Sequence, residues 1–389
     1  MHSESANHGQ GTPDWDAFRR QMPVAERLAY LDHAAVAPIS GPACEAVVAW
    51  AEQAAVHGAT VWSDWNRRVQ AVRRVAAGMM GAGEDQLALV KNTTAGICLV
   101  AEGYPWQPGD NVVTLANEFP SNLYPWMNLA SRGVETRRVP VDQGRVDLSQ
   151  LAAACDERTR IVAVSWVGFA SGWRHDVDEL ATLAHEHGAL LFLDAIQGLG
   201  IFPLDVSRTP VDFLAADGHK WMLGPEGAGL FYVRRDHLDL LHPWGVGWHS
   251  VVREHDFDHI QLDLKPTAAR FEGGSENIVG NLALGASLEL LMSFGVPQIA
   301  HRILQLTDLA CQRLTDAGAT IASARDGQRR SGIVSFTWPG DMGLLRQQLL
   351  RQGVVVSYRD GRLRISPHAY NNEEDLDRLI QALQTTHDP

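Results

Sequence analysis

A chain of 389 residues is long enough for a large domain and a smaller one, each with its own core. With 45% apolar and 20% charged residues, its make-up is that of an ordinary soluble globular protein. The net charge of −13, without a cluster of Lys and Arg, argues against nucleic acid as a partner, because phosphate binding draws on such clusters. The pairs Arg137-Arg138 and Arg329-Arg330 read as solvated surface. Residues 1–24 are polar, without an apolar run, and are expected to form a flexible N-terminal segment rather than a secretory signal. Nothing further along approaches a membrane span. The cysteines Cys44, Cys98, Cys155 and Cys311 are scattered and form no CxxC pair. That pattern speaks against disulfide frameworks and zinc sites, and for a reducing cytoplasm.

Along the chain, apolar runs predict strands at Leu87–Val90, Asn111–Leu115, 160–165, Leu190–Asp194, 211–216 and 228–233. Amphipathic stretches between them, such as 94–102 and 177–187, predict helices. Continuously apolar strands joined by helices imply an α/β fold with a mostly parallel central sheet covered on both faces. A large domain over 25–292 is followed by a smaller α+β domain over 293–389. The latter is expected to hold a helix over Val296–Asp316, short runs at 332–337, 354–357 and 363–366, and a last helix from about Asn372. His185-Glu186-His187 offers metal-type side chains, yet residues two apart on a helix point away from each other, and Gly188 reads as a helix C-cap. No metal site is expected.

The chemistry concentrates where predicted strands end, the place where parallel sheets bind ligands. Asp217-Gly218-His219-Lys220 follows one apolar run and leads into the turn Gly224-Pro225-Glu226-Gly227-Ala228-Gly229. A lysine there is a candidate Schiff-base nucleophile, since burial near another cation lowers an amine pKa. Asp194 ends a second buried run, with Gln197 three residues on. A lysine amine and a carboxylate at the ends of buried strands are what pyridoxal phosphate chemistry requires. The amine holds the aldehyde, and the acid keeps the pyridine nitrogen protonated. Gln197 is placed to hydrogen-bond the ring oxygen, unless Asp194 merely caps the next helix.

Lys91-Asn92-Thr93-Thr94-Ala95-Gly96 joins a strand to a helix, where free N–H groups and hydroxyls suit a phosphate; the plainer reading is a Thr N-cap. Phe119, in Asn117-Glu118-Phe119-Pro120-Ser121-Asn122, is a candidate to stack on the cofactor ring or an ordinary core residue. Arg362 and Arg364 alternate with apolar residues on one face of a strand. One of them is suited to a two-pronged bond with a substrate carboxylate; the alternative is an edge strand guarded by charge.

These motifs together resemble the class V aminotransferase family of pyridoxal phosphate enzymes (type I fold), which includes cysteine desulfurases, isopenicillin N epimerase-like enzymes and cysteine-conjugate lyases. The resemblance runs from Tyr30-Leu31-Asp32-His33 to the last helix. It is carried by Asn92-Thr93-Thr94, Asp194-Ala195-Ile196-Gln197, Gly218-His219-Lys220, 270–277 and Arg364-Ile365-Ser366. It implies that Lys220 binds the cofactor covalently, that His219, Thr93 and Thr94 serve its phosphate, and that Asp194 and Gln197 meet its ring. It also implies a homodimer in which Gly274-Ser275 reaches the partner's phosphate, and Arg364 as the substrate-carboxylate ligand.

Two departures from the family bear on function. Phe119 stands where many relatives have a stacking histidine, so acid–base capacity is lost there. Cysteine desulfurases carry a nucleophilic cysteine on a mobile loop shortly before the carboxylate-binding arginine, and 353–361 has none. The expectation is therefore a pyridoxal phosphate enzyme acting at the α-carbon of an amino acid, with a β-lyase for cysteine conjugates preferred. The loop Trp244-Gly245-Val246-Gly247-Trp248-His249 suits a roomy pocket for an apolar conjugate; the alternative, and the more usual place for tryptophans in such a loop, is a dimer interface. An aminotransferase or epimerase is the alternative, ahead of a desulfurase. A non-catalytic binding protein comes last, because Lys220, Asp194 and Arg364 are all retained.

Overall fold

The computed structural model describes residues 13–142 and 144–385. After a short helix α1 (Trp15–Arg20), strand β1 (Ala29–Tyr30) leads into the long helices α2 (Gly41–His57) and α3 (Trp62–Met80). The large sheet is built from β2 (Leu87–Val90), β3 (Asn111–Leu115), β4 (Glu135–Val139), β5 (Thr159–Ser165), β6 (Leu190–Asp194), β7 (Phe213–Asp217) and β8 (Gly229–Val233). Between these strands lie α4 (Thr93–Gly103), α5 (Tyr124–Asn128), α6 (Leu148–Ala154) and α7 (Val177–Glu186). The chain then continues through α8 (Ile278–Phe294) and α9 (Val296–Asp316). The remaining elements are β9 (Thr320–Ile321), β10 (Val334–Thr337), α10 (Met342–Arg351), β11 (Val354–Val355), β12 (Ser357–Arg359), β13 (Arg362–Ile365) and α11 (Glu373–Thr385).

The seven-stranded sheet has the order β2-β8-β7-β6-β5-β3-β4, and β8 alone runs against the others. Its central strands are buried on both faces, as their unbroken apolar character requires. Side chains alternate between two cores: Val162, Val164, Leu191, Leu193 and Leu214 face one, and Ile161, Ala163, Phe192, Phe213 and Ala215 face the other. Helix α8 is buried along most of its length against α2 and α3. No single helix among the described residues is long and apolar enough to cross a membrane.

A second core lies around the four-stranded sheet β12-β13-β10-β9. Ala29 and Leu31 join it, because β1 pairs in parallel with β11. The chain turns into this part at Gly295, between α8 and α9. Of the segment expected to be flexible, residues 1–12 lie outside the described residues. Within the rest, α1 buries Phe18 against Phe294 and Tyr370, and Arg19 pairs with buried Asp375 at 2.7 Å.

Several boundaries differ from expectation for local reasons. Val211–Ala216 becomes Phe213–Asp217, because Asp212 turns inward, where it accepts from Leu191 N–H at 2.8 Å and contacts His185 and His237. His187, the other histidine of that motif, bonds instead to the Leu183 carbonyl. Strand β4 was not expected, since Arg137 and Arg138 made it look like solvated surface. It is a charged edge strand, with Arg137 held by Asp156 at 2.7 Å and Glu135 at 2.9 Å. The run 354–357 divides between two sheets. β13 is an interior strand rather than a guarded edge.

One buried ion pair ties the outer edge of the large sheet to the segment carrying Ser275. Arg73 of α3 makes a two-pronged contact with Glu272 at 2.6 and 3.0 Å, and donates to the Leu87 carbonyl. Glu272 also accepts from Leu89 N–H at 2.7 Å. Both side chains are buried, so removing one charge strands the other. Glu272→Gln is expected to destabilise the protein by roughly 3–5 kcal/mol. The check is the urea unfolding midpoint, and an unchanged midpoint would contradict the role of this pair.

Candidate active site

A cavity of about 260 Å³ opens at the carboxyl ends of β6 and β7. It is lined by Asn92, Thr93, Thr94, Phe119, Asp194, Gln197, His219, Lys220 and Arg364, among others. Sequence-predicted residues from five separate stretches of the chain thus meet in one place. Ser275 does not line it; that residue lies in a different cavity with Glu272, Gly273, Gly274 and Glu276. The Trp244–His249 loop does not reach the Lys220 cavity either, contrary to expectation. Trp244 lines the Ser275 cavity, and Trp248 and His249 border others.

The local backbone explains these placements. Gly218 passes so close to Ala228 and Leu284 that a Cβ would lie 2.7 Å from both, so only glycine lets the chain leave β7 and present His219 and Lys220 to the cavity. Just beyond, Leu223 adopts a left-handed conformation (φ 55°) while donating to the Lys220 carbonyl at 3.0 Å. A leucine in that region is strained and needs tertiary packing to hold it; here its side chain is fully buried. Helix α4 is capped by Asn92, whose Oδ1 accepts from Ala95 N–H at 2.9 Å, and not by a threonine. This frees the Thr hydroxyls. Thr93 Oγ1 accepts from Asp217 N–H, and Thr94 bonds to Ser121 at 2.9 Å.

Burial sets the electrostatics. Among the described residues, no hydrogen bond or ion pair reaches the Lys220 amine. Desolvation pushes its pKa down to about 8, against the pull of Asp194 and with the help of Arg364 and Arg359. Asp194 is pushed up to about 6 by burial, opposed by the Ile196 N–H at 3.1 Å and by Lys220. Lys220 Nζ faces the Phe119 ring at 5.6 Å, and Phe119 meets Phe169 edge-on. Gln197 is locked from both ends: its amide donates to the Ala34 carbonyl at 2.9 Å and its oxygen accepts from Trp221 at 2.8 Å. One amide hydrogen stays available.

Arg364 is buried, donating to the Phe169 carbonyl at 2.5 Å, to Ser357 at 3.1 Å and to Asp32 at 3.3 Å. Its Nε has no hydrogen-bond partner among the described residues. Asp32 and Ser357 were not singled out from sequence as supports for it. Glu118 was missed too. It is fully buried, accepts from Ser165 N–H at 2.7 Å, and is pushed up to about 7, mainly by desolvation. A glutamate between Asn117 and Phe119 in a loop gives no sign that it will be buried. Its only signal is the register that sets Ser165 beside Asp194.

The class-V aminotransferase model matches residues 29–379. The chain belongs to that family. A probable cysteine desulfurase of Methanothermobacter thermautotrophicus is 31% identical over 395 residues, covering 94% of this chain and 96% of its own. A cysteine desulfurase of Escherichia coli is 30% identical over 402 residues, covering 96% and 98%. Among solved structures, the apo cysteine desulfurase of Thermococcus onnurineus NA1 matches with a TM-score of 0.87 at 25% identity, covering 97% of this chain and 98% of that one.

As a class-V aminotransferase family member, the chain is a pyridoxal 5′-phosphate enzyme acting on an amino acid. The residues fit the cofactor. Asp194 Oδ2 has no partner among the described residues, the Lys220 amine is unbonded, and Asp217 Oδ1 and His219 Nδ1 are buried without hydrogen bonds. His219 Nδ1 lies 3.0 Å from Asp217 Oδ2, out of hydrogen-bonding alignment.

The family resemblance breaks at the thiol. None of the four cysteines lines this cavity. Burial raises the thiol pKa of Cys98 and Cys311, and pushes Cys155 up to about 11. Where desulfurases carry a cysteine-bearing loop, this chain makes a two-residue turn. Asp360 and Gly361 both have positive φ (49° and 73°), and the cross-strand pair Arg359–Arg362 closes the turn. Asp-Gly is a favoured sequence for such a tight hairpin.

The lowered Lys220 pKa has a direct consequence. At pH 7 its neutral fraction exceeds that of an ordinary lysine by roughly 300-fold, since each pKa unit changes that fraction about tenfold. Labelling of cofactor-free protein with trinitrobenzenesulfonate, followed by peptide mass spectrometry, is expected to give a Lys220 rate that is half-maximal near pH 8 and levels off above about pH 9. A rate that climbs through pH 10, as for an unperturbed amine, would contradict the site's electrostatics.

Proposed function

We propose that the enzyme is a C–S β-lyase for cysteine conjugates, which releases the sulfur fragment into solution instead of passing it to a protein thiol. The relatives' description as cysteine desulfurases supports a sulfur amino acid as substrate. The observation that carries the rest is the lack of any cysteine at the cavity, together with the tight Asp360-Gly361 turn.

In this reading Lys220 holds the cofactor, Asp194 stays ionised against its pyridine nitrogen, and the free amide hydrogen of Gln197 meets its ring oxygen. Thr93, Thr94 and His219 serve the phosphate. Ser275, outside this cavity, reaches a phosphate only from a second copy of the chain, so the reading includes a homodimer. The bound cofactor supplies a sink for the electron pair left on the α-carbon. Arg364, aimed by Asp32, Ser357 and the Phe169 carbonyl, takes the α-carboxylate through its unpartnered edge. Once the substrate's amino group has taken its place on the cofactor, the freed Lys220 amine, which burial favours in its neutral form, would take the α-proton. Phe119 and Phe169, packed edge-on, form one apolar wall of the cavity. The Cβ–S bond breaks with its electrons on sulfur, which leaves as a thiol after protonation. Water converts the remaining fragment to pyruvate and ammonia.

Single-turnover product analysis tests this reading. With S-substituted cysteines we expect pyruvate, ammonia and thiol in equal amounts, with no mass added to any cysteine peptide. A persulfide on Cys44, Cys98, Cys155 or Cys311 would overturn it. Accumulation of the pyridoxamine form without released thiol would assign the enzyme to amino-group transfer.

A further inference from the structure

Arg359 lines the Lys220 cavity, yet the chemistry above gives it no task. The β12–β13 hairpin pairs Ser357 with Arg364 and Arg359 with Arg362, so all four side chains rise from one face. Arg364 is the buried member, fixed by Asp32, Ser357 and the Phe169 carbonyl. Arg359 stands one cross-strand pair further out, exposed at the rim, on a backbone held by the tight turn. Among the described residues no carboxylate lies within 4.0 Å of its guanidinium; its recorded hydrogen bond goes to the Tyr358 carbonyl at 2.9 Å. The cavity's own acids lie with other groups: Asp194 accepts from the Ile196 N–H, and Asp217 Oδ2 is 3.0 Å from His219 Nδ1. A cation without a carboxylate partner among the described residues is thus left at the mouth of the cavity.

We propose that Arg359 binds a second carboxylate, at the far end of the substrate, and selects amino acids whose side chain or leaving group is acidic. The proposal rests on the reading of this cavity as an amino-acid site with Arg364 on the α-carboxylate. On a hairpin, diagonal positions such as Arg364 and Arg359 have side-chain bases about 7–8 Å apart. That span suits two carboxylates separated by several atoms, as in an S-carboxyalkyl cysteine.

Glutarate and its monoamide have the same shape and differ by one carboxylate, and neither can react. Titration calorimetry of the holoenzyme is expected to show glutarate binding about 10- to 100-fold more tightly, the usual worth of a charge-assisted contact. Arg359→Gln should erase that difference while leaving the affinity for the monoamide unchanged, and Arg359→Lys should restore part of it. Equal affinity of the two ligands for the wild type overturns the proposal. An equal loss for both in Arg359→Gln also overturns it, because Arg359 would then share the carboxylate of Arg364. Binding of neither ligand, in protein whose visible absorbance shows full cofactor loading, overturns the placement of a carboxylate at Arg364 as well as the proposal. Equal binding of both overturns the proposal alone.

Discussion

The site depends on desolvation of two opposite charges at the ends of neighbouring strands. Asp194 closes β6, and Lys220 follows β7 by three residues. Each is buried, and among the described residues neither has an ion-pair partner within 4.0 Å. The amine is pushed down to about 8 and the carboxyl up to about 6, so the two shifts approach each other from opposite sides. In water both groups would be fully charged at neutral pH. Here the fold makes those charges costly, and in the proposed reading a ligand that offers Lys220 a carbonyl carbon and Asp194 a protonated nitrogen relieves both. The parallel sheet provides the positions, since its strand ends are where side chains from distant stretches of sequence converge.

Around that pair, the supporting contacts act by orientation. Gln197 is fixed at both ends, Arg364 is aimed from three sides, and Glu118 pins the Phe119 loop to β5. The strained Leu223 and the crowded Gly218 flank the lysine and set the backbone that carries it.

Much of the site was legible in the sequence because its signals are local. A lysine after a buried run and an aspartate at the end of another are visible without knowing how the strands pair. The supports were not legible, because they are contacts between residues far apart in the chain. Asp32 meets Arg364 across 332 positions, and Glu118 reads as a loop carboxylate until the sheet sets Ser165 beside it. Strand β4 was missed for the opposite reason: its charges suit an edge strand, which shows no apolar run. The Trp244–Trp248 loop was misplaced because aromatic content says nothing about direction; its exposed tryptophans, 57% and 39% accessible, lie away from the Lys220 cavity. The missing thiol was plain from the sequence. Only the structure showed that the stretch before Arg364 forms a tight hairpin, with Arg359 and Arg362 paired across its turn.

The most direct test of the account is to reduce the cofactor-loaded protein with borohydride and map the modified peptide. The chain has three lysines: Lys91, Lys220 and Lys265. Lys91 is exposed, and Lys265 pairs with Glu254. The account predicts that the reduced cofactor is found on Lys220 and on neither of the others. Attachment to Lys91 or Lys265, or a fully loaded protein that borohydride leaves unmodified, would contradict it.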